Sequence, residues 1–411
     1  MFERKKDPSS LNFQMNFDEL FAETRDPNFI GKTKEYYLTE EIEVSAKDVL
    51  KLQYRLELNC WYQYFKNHVE EIKTWIDFEQ KIEDVLLALA RCIADLDLFD
   101  IRRINSYLNE SNNQSKCIRK ADLAILNFFE FTIYKQDFFP YSFNKKFCHG
   151  GSIENGFSST IFSEYLSKQL DELIEIFNLY LEIVIGRLSQ SSTVEIYAEE
   201  WSYPDKIFSF NYTNTYQRLH DTVEVEYLHG SCGENQNIVL GVSALEHESL
   251  KKIKAYGFTK YHQKLFKDTD YLFLDKFKKI IENGKKKFDE DLRLMNANAL
   301  NEISARFIKR GLGSNATSLD LNFMIWGHSL DASDKDYIID LFYLNDDIDR
   351  NVRVTVYYFD KPAKFALLNN LLAILGKDKV EQWMKNKWLV FKKNPEGLCC
   401  TNLAYKVYSV L

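Results

Sequence analysis

Three short apolar runs, each ending in small polar residues, constrain this chain more than any other feature. Ile207-Phe208-Ser209-Phe210 leads into Asn211-Tyr212-Thr213-Asn214-Thr215. Val223 to Leu228 leads into His229-Gly230-Ser231, and Leu321 to Trp326 leads into Gly327-His328-Ser329-Leu330-Asp331. Runs this short fit buried strands of a parallel sheet better than helices. In an open α/β sheet, ligands bind outside the carboxyl ends of the strands, which is where these runs place their polar residues.

The intervening sequence reads mainly as helix. Residues 45 to 97 show apolar positions at helical spacing and predict two long helices, with Ser45 and Asp48 as a start signal. Within them, Trp75-Ile76-Asp77-Phe78-Glu79 interleaves acids with apolar residues; the acids fit either a wet helix face or the neighbourhood of a site. Further helices are predicted from Lys120 to Tyr134, from Ser158 to Arg187, through most of 249 to 311, from Tyr337 to Leu344, and near Lys361 to Leu375 and Val380 to Lys385. Further strands are predicted at Leu11 to Met15, Asn237 to Gly241, Val352 to Phe359 and Trp388 to Phe391. His149-Gly150-Gly151-Ser152, in a loop at 136–157, has the composition of an anion cradle but follows no clear strand. The alternation predicts an α/β fold with a mostly parallel sheet and large helical insertions. It divides into an N-terminal segment (1–44), a mainly helical region (45–200), core strands (201–248), a helical insertion (249–316) and a C-terminal α/β half (317–411).

Composition narrows the functional classes. Aromatic residues make up 15% of 411 residues, which points to dense core packing. The net charge of −8 argues against general nucleic-acid binding, and the lysine runs of 251–287 read as solvated helix faces. Seven cysteines, an odd number without zinc-ligand spacing, fit reduced thiols in a cytoplasmic protein. No apolar run approaches the ~20 residues of a membrane span, and the first residues lack a signal-peptide core.

The polar residues at the strand ends suggest chemistry. An amide at Asn211 can orient a water or a sugar hydroxyl, and a histidine at 229 can take a proton near neutral pH. Gly230 and Gly327 permit close backbone approach to a ligand, and a helix start after Ser329 would suit a phosphate. Asp334 stands where it would cap the helix that follows.

Phe210-Asn211-Tyr212-Thr213-Asn214-Thr215, Leu228-His229-Gly230, Leu240-Gly241, and Gly327-His328-Ser329-Leu330 with Asp334 resemble the abortive-infection AbiH family of bacterial phage-defence proteins. Trp75 to Glu79 resembles that family too, and the likeness covers roughly 70–90 and 200–375. The family is similar, more distantly, to sirtuin-like NAD-consuming domains with a Rossmann-like core. The resemblance implies NAD as the ligand, no metal, and cleavage of the glycosidic bond to nicotinamide. It implies Asn211 and His229 as catalytic residues: Asn211 positions water or ribose, and His229 serves as base. It implies Phe210, Tyr212, Thr213, Gly230, Gly241, Gly327, His328, Ser329 and Asp334 as the cofactor-binding set. A phage protein trigger, a defence-system subunit or a second copy of the chain are the partners it suggests. The chain departs from the family at its start: family members carry a strand and Gly-Asn-Gly-Phe-Asp, whereas Met15-Asn16-Phe17-Asp18 has no glycine, and side chains there would crowd a pyrophosphate.

Two other classes fit the residues. One is a non-catalytic sensing or partner-binding module that keeps the fold. The other is a metal-dependent nuclease-like toxin using Asp331, Asp334 and Asp336, three acids close enough in sequence to hold a divalent ion.

Overall fold

The computed structural model describes residues 14–22, 28–40, 42–72, 78–97, 108, 119–134, 141–190, 204–214, 216–217, 223–269, 272–297, 318–345 and 348–394. The chain divides into two compact units. One comprises Met1–Thr193 with Ser231–Thr269, the other Val194–Gly230 with Asp270–Leu411.

The first unit is built on helices. Ser45 caps the helix Ala46–Leu58 by accepting from Asp48 N at 3.1 Å, as the sequence predicts. The stretch read as two helices forms three: Ala46–Leu58, Cys60–Ile72 and Phe78–Leu96. Asn59 makes the first break. Its Oδ1 accepts from Tyr62 N at 3.0 Å, starting the next helix, while its Nδ2 donates to Gln169 O at 2.8 Å. An amide that bonds backbone in this way competes with helix continuation. Gln169 lies on the long helix Ser159–Ile183, which Ser158 caps. Trp61, Tyr64, Phe65, Leu89, Phe129 and Phe162 are buried between these helices, with Trp61 and Phe129 rings 4.6 Å apart. The aromatic content is therefore core packing in this unit.

Several expectations change here. The helix predicted from Lys120 to Tyr134 stops at Asn127, and Thr132–Tyr134 instead pairs antiparallel with Tyr141–Phe143. Glu130 takes a left-handed turn (φ 57°), and Asn127 Oδ1 accepts from Thr132 Oγ1 at 2.6 Å, which together end the helix and start the strand. Asn237 to Gly241 does not join a sheet. Side chains take the place of a partner strand: Asn237 O accepts from Thr269 Oγ1 (2.6 Å), Ile238 O from Lys267 Nζ (2.7 Å), and Leu240 N and O both bond the Gln263 amide. At the N-terminal side, Gln14–Asn16 is a strand, while 11–13 lie outside the described residues. It pairs antiparallel with Glu43–Ser45, and Asn16 and Glu19 form a capping box on the helix Phe17–Leu20. Asn16 thus takes one of the N–H groups that a phosphate would use. His149–Gly151 is a closed turn, with His149 N donating to Gly156 O at 3.0 Å and Asn155 Nδ2 to His149 O at 3.0 Å.

The second unit is α/β with parallel strands. Lys206–Ser209 pairs in parallel with Glu224–Tyr227. A three-stranded parallel sheet places Val352–Tyr358 between Leu321–Ile325 and Leu389–Lys393. The mostly parallel sheet expected from sequence is thus two parallel groups among the described residues. In the three-stranded sheet, Val352, Val354 and Val356 bury the same face as Ile325 and Leu389, and the helices Lys335–Tyr343, Lys361–Leu375 and Lys377–Lys385 connect the strands. Asp360 caps the second of these helices by accepting from Ala363 N at 2.7 Å, with Pro362 in its first turn. Met324 and Val390, on the other face, are exposed, so Leu321–Ile325 is half-buried rather than a fully covered strand. Among the described residues, no helix is long and apolar enough to cross a membrane.

Candidate functional site

The three apolar runs do converge, all within the second unit. Lys206–Ser209 ends at Phe210, and Leu228 N donates to Ser209 O at 2.8 Å, extending the parallel ladder to the residue before His229. Gly230 follows with φ 82°, and Gly327 follows the strand Leu321–Ile325 with φ 69°. Both values lie in the left-handed region, where glycine carries no steric penalty. The chain turns sharply at each strand end and leaves His229 and His328 facing inward.

The two histidines meet over Phe210, whose ring lies 5.0 Å from that of His229 and 4.2 Å from that of His328. Tyr337 closes the group: its ring is 5.2 Å from Phe210, and its hydroxyl donates to Leu228 O at 2.7 Å. All four side chains are buried. The space between Phe210, Ile325, His328, Leu330, Tyr337 and Leu341 is too small for a water molecule.

Asp334 joins both rings. Its Oδ1 lies 3.0 Å from His229 Nε2, and its Oδ2 lies 3.4 Å from His328 Nε2. The helix-capping role expected for Asp334 is therefore corrected. Asp334 occupies the N-cap position of Lys335–Tyr343 but makes no side-chain cap bond. Asp331, one short turn earlier, does the capping, its Oδ1 accepting from Ser333 N at 3.0 Å. Ser329 does not open a helix either: Leu330 adopts φ 53°, and a short 3₁₀ turn starts only at Ala332. A left-handed leucine costs about 1–3 kcal/mol. The turn it makes brings Leu330 N onto His328 Nδ1 at 2.8 Å.

The remaining predicted residues are less closely grouped. Asn211, Tyr212 and Thr213 are half-buried, with Asn211 N donating to Ser209 Oγ at 3.1 Å and the Tyr212 ring 6.5 Å from His229. Gly327 and Ser329 are exposed, and Ser329 O accepts from Asn370 Nδ2 at 2.9 Å. Gly241 belongs to the first unit, where a Cβ would meet Phe258 O at 2.3 Å. Close backbone packing accounts for that glycine. Asp331, Asp334 and Asp336 do not converge: the first caps, the second faces the histidines and the third is exposed. Among the described residues no group of three His, Cys, Asp or Glu side chains is placed to hold a metal.

The sequence reading missed the contact of Asp334 with both histidines. A signal was present: Asp331 and Asp334 both stand before one helix, which needs a single cap. It also left Glu79 undecided. In the first unit Glu79 Oε1 lies 2.7 Å from Lys260 Nζ, with side chains 19% and 6% exposed, so this acid is not on a wet face. Trp75, Ile76 and Asp77 lie outside the described residues.

A model of the family described as bacteriophage abortive infection AbiH matches residues 31–358. The chain belongs to the AbiH family. The match contains His229, His328, Asp334, Phe210, Glu79 and Lys260, and bears out the resemblance carried by the strand-end residues. It begins after the strand Gln14–Asn16 and ends before Leu389–Lys393, so both flank the AbiH region. No curated protein and no solved structure matches the chain.

Proposed function

We propose that this AbiH chain acts in abortive-infection defence against phage by hydrolysing NAD at the nicotinamide glycosidic bond, in a second unit of Rossmann-like, sirtuin-like kind. The observation that supports this is the pairing of His229, just past the carboxyl end of a parallel strand, with Asp334 at the start of a helix. A proton held on Nε2, the nitrogen 3.0 Å from the Asp334 carboxylate, would leave Nδ1 as the basic nitrogen of a neutral imidazole. His229 then takes a proton from water as the water oxygen bonds to the ribose carbon. Nicotinamide leaves with the electrons of the broken bond. The charge that develops on the sugar is oxocarbenium-like, and Asp334 stabilises the imidazolium formed opposite it.

The inner side of the cluster is packed shut, so NAD would approach from the side of the half-buried Asn211, Tyr212 and Thr213 and the exposed Gly327 and Ser329. Asn211 would orient the water or a ribose hydroxyl. The reaction belongs in the cytoplasm, where NAD and replicating phage meet. Release of nicotinamide and ADP-ribose from NAD by the purified chain, with and without lysate of phage-infected cells, tests this. Release that disappears in His229→Ala and Asn211→Ala is expected; none under either condition rejects it.

The tight packing of Phe210 on His328 supports a second reading, a non-catalytic module that senses a phage protein or binds a defence subunit. Phage protection that survives His229→Asn in a folded protein would favour it.

A further inference from the structure

We infer that His328 is a positioning residue, which holds the Asp334 carboxylate so that its other oxygen serves His229. Leu330 N donates to His328 Nδ1 at 2.8 Å. A ring nitrogen that accepts a hydrogen bond carries no proton, so the neutral ring carries its proton on Nε2. That atom is the one 3.4 Å from Asp334 Oδ2. The tautomer of His328 is thus set by a backbone N–H, and the backbone N–H is placed by two left-handed residues, Gly327 and Leu330.

Asp334 shows what this device does. An aspartate at an N-cap ordinarily turns its carboxylate back onto the first backbone N–H groups of its helix. Asp334 makes no such bond, and Asp331 serves the preceding turn. Its two oxygens meet two imidazoles instead, at 3.0 and 3.4 Å. Phe210 lies against the His328 ring at 4.2 Å and keeps it in place. Outer groups that fix a ligand's orientation commonly act through a carboxylate–histidine contact of this kind. Among the described residues, Asp334, Tyr212, Tyr337 and Phe210 face His229. Asp334 is the one acid of these four, so the orientation of its carboxyl group sets the protonation site of His229.

The inference rests on the assignment of Asp334 as the partner of His229, and needs no turnover of NAD. Long-range ¹H–¹⁵N spectra of the histidine rings in the full chain test it, because they read which nitrogen is protonated. In the wild type, His229 and His328 are both expected as Nε2–H tautomers; His328 with its proton on Nδ1 overturns the inference at once. His328→Gln keeps a donor near the place of Nε2, whereas His328→Asn keeps an acceptor near Nδ1 and its shorter amide does not carry a donor to the place of Nε2. The His229 tautomer is expected to stay fixed in His328→Gln and to become a mixture in His328→Asn, at similar thermal stability. A fixed tautomer in His328→Asn, or its loss in both variants, overturns the positioning role. Since no substrate is used, absence of NAD hydrolysis leaves the result interpretable.

Discussion

His229 Nε2 lies 3.0 Å from Asp334 Oδ1, a contact between the end of one strand and the start of a helix far along the chain. Both side chains are buried, so the carboxylate acts on the imidazole with little screening by water. Asp334→Asn keeps the shape and removes the charge that would stabilise an imidazolium. The proposed NAD hydrolysis is expected to fall by about 100-fold or more, the contribution of a positioned general base. Phage plaque counts should rise with it. The check is hydrolysis rate alongside thermal unfolding; a rate within a few-fold of wild type would remove His229 and Asp334 from the chemistry.

The residues that made the second unit legible are those whose partners are local. Val352 to Tyr358, the helix Lys361–Leu375 and the strand ends at Phe210, His229 and Gly327 all carry their signal in a few neighbouring positions. The site was half legible for the same reason. Strand-end position identified His229 and His328, but their contact with Asp334 depends on how separate segments pack. Asn237 to Gly241 shows the limit from the other side. Its apolar pattern suits a strand, yet Thr269, Lys267 and Gln263 supply its hydrogen bonds from side chains, which no alternation of residues reveals.

The pairing of Glu79 with Lys260 makes a stability prediction. Lys260 Nζ is buried in the first unit, and Glu79 is the carboxylate 2.7 Å away. Removing one member of a buried pair leaves a desolvated charge, at a cost of about 3–5 kcal/mol, whereas replacing both by apolar residues costs far less. Glu79→Ala is therefore expected to lower the urea midpoint strongly, and Glu79→Leu with Lys260→Met to recover most of it. Equal loss in the single and double variants would show that the pair's charge is not what matters.

The first unit should weaken in alkali. Burial pushes the Cys60 thiol from 9.0 up to about 12, although the Tyr165 hydroxyl bonded to it pulls it down, and burial also raises Tyr165. The unfolded chain then loses the thiol proton near pH 9, while the folded chain keeps it. The folded state binds more protons across that window, so stability is intact below pH 9 and declines as pH rises towards 12, by up to about 1.4 kcal/mol per pH unit. Urea unfolding at about pH 8 and about pH 10 checks the sign. Wild type should lose more stability between the two than Cys60→Ala does, and parallel losses would contradict the assignment.

Gly241 separates packing from ligand binding. Val242 N donates to Phe258 O at 2.8 Å, and the same carbonyl would stand 2.3 Å from a Cβ on residue 241. Gln263 Nε2 would be 3.1 Å away, and it is already bonded to Leu240 O and Gly257 O. A backbone carbonyl cannot rotate aside as a side chain can, so Gly241→Ala must displace the 240–242 segment from its partners. Overpacking of this kind costs about 1–3 kcal/mol. The variant is expected to unfold at lower urea while the proposed hydrolysis of NAD by the remaining folded protein stays as in wild type. If affinity for NAD falls and stability does not, the glycine serves a ligand and the packing account of it is wrong.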